Sequence, residues 1–122
     1  MLMIRKEQMD MFSAYVRGQF EWRMVKHLQE KFPDRTANLS DERIRIVVQN
    51  IMKKAENYRI EYENDIRRFI EYLVIYGTRW DDLQETEWMA DILRRDDLSG
   101  TIKMDLIDSY ELQLARRQTW AD

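Results

Sequence analysis

The sequence predicts an all-α fold, a compact irregular bundle of about five helices led by a long N-terminal helix. Three observations carry this. Only three glycines and one proline occur in 122 residues, which leaves few turns for hairpins. Apolar residues recur at three- and four-residue steps through most of the chain, and no stretch sustains the two-residue alternation of a half-buried strand. Eight methionines, together with abundant Glu, Arg, Leu and Gln, favour helix over strand. The length suits a single helical domain over residues 1–122, and 44% hydrophobic content is ample for a core despite 35% charge.

The first helix is expected from about Met9 to Phe32, where Pro33 biases its predecessor away from helix and Asp34 to Asn38 forms a polar connector. Met9, Phe12, Val16, Phe20, Met24 and Leu28 make its core-facing stripe. Ser40 is placed to cap a second helix, with Asp41 and Glu42 in its first turn and Ile44, Val47, Val48, Ile51, Ala55 and Tyr58 as its apolar face. A tight junction at Arg59-Ile60 leads into a third helix with Glu61, Glu63 and Asp65 at its start and Tyr62, Ile66, Phe69, Ile70 and Leu73 toward the core. Gly77 closes it as a glycine able to take a left-handed C′ conformation. Residues 78–85 read as loop, and Thr86 as the cap of a short fourth helix containing Trp88, Met89, Ile92 and Leu93. After a break at Asp96 to Gly100, a last helix presents Ile102, Leu106, Ile107, Tyr110 and Leu114 inward, and residues 116–122 are expected to fray, with Trp120 a candidate for docking.

The first helix carries a second apolar line. Met11, Tyr15, Trp22 and Val25, with Gly18 between them, follow the i, i+4, i+7, i+11, i+14 spacing that stacks side chains along one face. Two accounts are open. Either two other helices wrap opposite sides of the first and bury both lines, or the second line meets a protein partner, since Tyr, Trp and Met are enriched at interfaces. Ile46, Tyr72, Ile75 and Leu112 also miss the core stripes of their own helices, which favours some additional contact.

Catalytic chemistry finds no foothold. Cysteine is absent, so thiolate metal sites and disulfides have no residues to build them, and His27, the only histidine, is expected as a helix-surface or boundary residue rather than as a catalytic group or metal ligand. Asp81, Asp82, Glu85 and Glu87 crowd one loop but lack the alternating ligands and central glycine of a calcium loop. The pairs Arg67-Arg68, Arg94-Arg95 and Arg116-Arg117 are diluted by neighbouring carboxylates, and the net charge of −3 does not draw a polyanion, so no nucleic acid is expected. The N-terminal Met-Leu-Met-Ile run is too short for a signal-peptide core, and no run approaches the ~18 apolar residues of a membrane span. The expectation is a cytoplasmic, non-enzymatic chain with no cofactor, no metal and no membrane partner.

Short motifs occur in a familiar order. Ile4-Arg5-Lys6-Glu7-Gln8-Met9 opens the chain, and His27-Leu28 is followed by Phe32-Pro33. Ala55 precedes Tyr58-Arg59-Ile60 with Glu63 and Asp65, and Trp88-Met89-Ala90 precedes Ile92-Leu93. In this order they resemble a group of small bacterial helical proteins encoded beside contractile (type VI) secretion components and their toxic effectors. Arg59 stands where that group often carries glycine, and Trp80-Asp81 where it has Phe-Asp. The resemblance implies an adaptor or chaperone-like companion that holds an effector or links it to a spike subunit, and it carries over no catalytic residue. Two other roles remain open at this level. One is an immunity protein that occludes a toxin, and the other is a structural homodimer that buries the second line against itself.

Overall fold

A computed structural model describes the backbone of residues 6–121 except 78, and the side chains of residues 14–117 except 78 and 82. Six α-helices follow one another: α1 (Lys6–Lys31), α2 (Pro33–Thr36), α3 (Asp41–Asn57), α4 (Glu63–Tyr76), α5 (Glu87–Leu93) and α6 (Gly100–Ala121). Two 3-10 turns, Trp80–Asp82 and Gln84–Thr86, lie between α4 and α5. No strand occurs among the described residues, so the fold is all-α. The backbone forms two compact units, divided between Asn50 and Ile51 within α3.

In the first unit, Phe20, Met24, Val25 and Leu28 of α1 and Ile44 and Val48 of α3 are buried. Of the described residues in the expected core stripe of α1, Phe20, Met24 and Leu28 are buried as expected. Val16, assigned to that stripe, is exposed; Met9 and Phe12 lie outside the described side chains. The segment expected to be a polar connector is instead the single turn α2. Proline at the first helical position forfeits no hydrogen bond, and the Thr36 hydroxyl closes the turn on the Phe32 carbonyl at 2.9 Å. Ser40 caps α3 as its sequence suggests, its Oγ accepting from the Arg43 N–H at 3.2 Å.

The second unit is organised around α6, against which α4 and α5 both pack. Phe69, Ile70, Leu73, Trp80, Met89, Leu93, Met104 and Ile107 are buried with Ile51, Ala55 and Ile60. Three of the expected inward residues of α6 point the other way. Ile102, Leu106 and Tyr110 are exposed, and the buried face is Gly100, Lys103, Met104 and Ile107. Tyr62, expected in the core of α4, is exposed as its N-cap. Thr86 makes no side-chain cap for α5, because its hydroxyl donates to the Trp80 carbonyl and ties the two 3-10 turns together. The tail expected to fray is helical through Ala121, and the side chain of Trp120 lies outside the described residues.

How α3 stops explains the start of α6. The Arg59 N–H bonds the Glu56 carbonyl at 3.1 Å and the Ile60 N–H bonds the Ala55 carbonyl at 3.0 Å, the paired bonds of a Schellman stop. Arg59 occupies the left-handed position with φ 61°, a conformation that costs a non-glycine residue about 1 kcal/mol. The two bonds and the burial of Ile60 hold it there. Gly100 packs directly on this stop. A Cβ on it would lie 2.5 Å from the Arg59 carbonyl oxygen and 2.8 Å from the Ile60 Cα, both backbone atoms that cannot swing aside. Gly100→Ala should therefore destabilise the fold by about 1–3 kcal/mol, read as a lower urea midpoint. Lys103, one turn further, donates from Nζ to the Tyr58 carbonyl at 2.9 Å and supplies a cation to the C-terminal end of α3.

A polar seam joins α4 to α6. Arg68 reaches Asp65 at 2.5 Å, Asp108 at 2.7 Å and Asp105 at 2.9 Å, while Thr101 donates to the second oxygen of Asp65 at 2.5 Å. Tyr72 donates to Asp108 at 2.5 Å, and Tyr76 donates to Glu111 at 2.7 Å. Burial, then the hydrogen bonds to these carboxylates, raise both phenols well above the usual tyrosine value near ~10. A raised folded-state value means that the stabilisation is complete below the unfolded value and is lost as pH climbs toward the folded one. The melting temperature should consequently fall as pH rises above about 10. The double variant Tyr72→Phe, Tyr76→Phe should show a shallower fall over the same window.

Candidate docking surface on the first helix

Alpha-helix α1 places Tyr15 and Trp22 seven residues apart, two turns along one face. Tyr15 is 74% exposed and Trp22 is 36% exposed. Around Tyr15, every described side chain from Ala14 to Arg17 is exposed, and so is Gln19. Among the described side chains of α1 burial begins at Phe20, so Tyr15 and Val16 are apolar side chains that stay at the surface.

Trp22 is held from the side by α3. The Arg45 guanidinium lies 4.8 Å from the centroid of its ring. Arg45 is itself fixed, because its Nε donates to Glu21 Oε1 at 2.9 Å, and Gln49 Nε2 donates to the same oxygen at 2.9 Å. Glu21 is buried, and these two donors satisfy a carboxylate that would be costly to leave without partners. The indole is therefore oriented in advance by a cation whose own position is determined by a buried acid, which lowers the entropy lost when such a ring is engaged.

Of the four residues that the spacing singled out, the structure keeps Tyr15 and Trp22 at the surface. Val25 is corrected. At 1% exposure it belongs to the core, because the line through Met11, Tyr15 and Trp22 drifts around the helix and reaches the buried face by the fourth turn. The Met11 side chain lies outside the described residues. Arg45, Glu21 and Gln49 were not legible as parts of this surface. The one available signal is that Glu21 is the only acid between residues 11 and 29, set among apolar neighbours.

Other apolar positions on the surface include Ile46 on α3 and Ile75 on α4. Leu112 lies on the outside of α6, as does the line Ile102, Leu106 and Tyr110. Trp88 stacks on Tyr110 at 4.5 Å, so that line is partly covered from within the second unit. Tyr72, by contrast, is accounted for by its bond to Asp108.

His27 is half-buried on α1. Among the described residues, no group of three or more His, Cys, Asp or Glu side chains is gathered closely enough to hold a metal ion. No helix of the described residues is long and apolar enough to cross a membrane. Comparison with protein-family models, with curated proteins and with solved structures finds no match.

Proposed function

We propose that this chain is a non-enzymatic protein-interaction module that docks a partner protein through the outer face of α1, with Tyr15 and Trp22 as anchors. The observation that carries this reading is the exposure of Tyr15 on a continuous helix next to a Trp22 already fixed by Arg45. Large aromatic side chains with little freedom left to lose are what dominate the energetics of protein interfaces. A helix face of this kind suits helix-on-helix or helix-in-groove recognition.

In the setting that the sequence resemblance implies, the partner is a type VI effector or spike subunit. The chain is then its cytoplasmic adaptor or chaperone-like companion. Replacing Tyr15 and Trp22 together by alanine should weaken capture of that partner by at least about 30-fold, the size of one hot-spot loss. Helicity and melting temperature should stay nearly unchanged. A large drop in melting temperature would assign both residues to the fold instead.

Two measurements separate the remaining roles. An adaptor increases the stability or export of the co-expressed toxin, whereas an immunity protein rescues growth and associates at a rate that falls steeply with salt. Light scattering on the isolated protein reports a homodimer directly.

A further inference from the structure

We infer that Glu21 is the latch of a helical hairpin, α1 with α2 and the first half of α3, that opens as one piece while the second unit stays folded. This holds whether or not α1 docks a partner. The backbone divides between Asn50 and Ile51, inside α3, where the helix has no break. A helix shared in this way can come undone from one end: residues 41–50 unwind from the Ser40 cap, while Ile51 and Ala55, buried with the second unit, keep the remaining turns. No new helix nucleus is needed when the hairpin closes again.

The two units are held unequally. Among the described side chains of the first, the apolar core is Phe20, Met24, Val25 and Leu28 of α1 with Ile44 and Val48 of α3. A body this small buries a low share of its surface and is marginal on apolar burial alone. The second unit has its ring triangle of Tyr58, Phe69 and Trp80, and its seam of Arg68 with Asp65, Asp105 and Asp108.

What ties α1 to α3 in depth is a single oxygen. Glu21 Oε1 receives both Arg45 Nε and Gln49 Nε2 at 2.9 Å, and the Glu21 side chain is only 6% exposed. The two donors stand one turn apart on α3, so one acid on α1 engages consecutive turns of its neighbour across 24 and 28 positions. A charged acceptor enclosed in this way is bonded more strongly than one in water. The bond from Gln29 to Asp41, at 2.6 Å, is exposed and holds the helices less firmly. Trp22 lies under Arg45, so it belongs to the piece that opens first.

Amide hydrogen exchange of the full-length protein, followed by mass spectrometry across a series of low urea concentrations, tests this. Residues 20–30 and 44–50 should share one opening equilibrium and be at least about tenfold less protected than residues 66–76 and 103–114. Glu21→Ala should lower protection in the first two segments by about tenfold or more and leave the other two within about twofold. Gln49→Ala removes one donor only and should give the same pattern at smaller size, which keeps the test decisive if Glu21→Ala does not fold. Equal protection in all four segments overturns the inference, and so does a loss spread equally over them in either variant, because both describe one cooperative body. Unchanged exchange of residues 20–30 in both variants overturns the latch. None of these results bears on partner capture by Tyr15 and Trp22, which stands or falls by its own double variant.

Discussion

Trp80→Ala should cost about 3–5 kcal/mol, the usual range for truncating a fully buried large aromatic. Trp80 is completely enclosed and forms a triangle of edge-to-face rings with Tyr58 and Phe69, the centroids 6.0 to 6.2 Å apart. Its main-chain carbonyl also receives the Thr86 hydroxyl, so the ring anchors both 3-10 turns before α5. Natural domains are stable by roughly 5–15 kcal/mol, so such a loss would remove about a fifth or more of the total. Urea titration followed by far-ultraviolet circular dichroism measures it. Trp80→Phe should lose much less, because the indole N–H finds no hydrogen-bond partner among the described residues and its removal relieves a desolvation cost. Equal losses in the two variants would show that the ring triangle contributes little.

Arg68→Met should cost about 3 kcal/mol, because it removes one partner of a buried ion pair and leaves the other charge behind. The Asp65 side chain is only 4% exposed, and without Arg68 it keeps the Thr101 hydroxyl alone among the contacts described above. Asp105, at the rim of the same seam, is 63% exposed and well solvated. Asp105→Asn should accordingly change stability by no more than about 0.5 kcal/mol, as for most exposed pairs. The contrast is the informative part. If the two substitutions were equally mild, the seam would be a surface decoration and the junction of α4 with α6 would rest on apolar packing alone.

Five of the six helices were legible in the sequence because local signals set them, whereas the single turn α2 and the last turns of α6 were not. Ser40 as a cap, Pro33 as a break and the three- and four-residue apolar steps each act within one or two turns, and Gly77 ends α4 as expected, though as its C-cap at φ 92° and ψ 161° rather than as a C′ residue in the left-handed helical conformation. What escaped depends on partners distant in sequence. The inward face of α6 includes Gly100 and Lys103, one with no side chain and one charged, and neither registers in a hydrophobic pattern. The i, i+4, i+8 line of Ile102, Leu106 and Tyr110 therefore looked like core while a different face was being buried. Lys103 is tolerated inside because it meets the Tyr58 carbonyl, 45 positions away in the chain. The Glu21–Arg45 bridge spans 24 positions and is invisible for the same reason. The candidate surface was half legible. Helical spacing located Tyr15 and Trp22, but it could not tell where the line would pass from solvent to interior, which it does before Val25.

Lys103 offers a practical use. Its side chain is buried, the residue is 2% exposed, and burial with Arg59 nearby draws its pKa below the usual lysine value despite the opposing pull of Asp96 and Asp97. Low basicity makes an amine a ready nucleophile, but enclosure keeps reagents away. An amine-reactive ester in solution would therefore modify the exposed Lys53 early and reach Lys103 only during moments when α6 lifts from the end of α3. The rate at which Lys103 acquires the label is thus a clock for local opening, built into the chain and readable by mass spectrometry without any substitution.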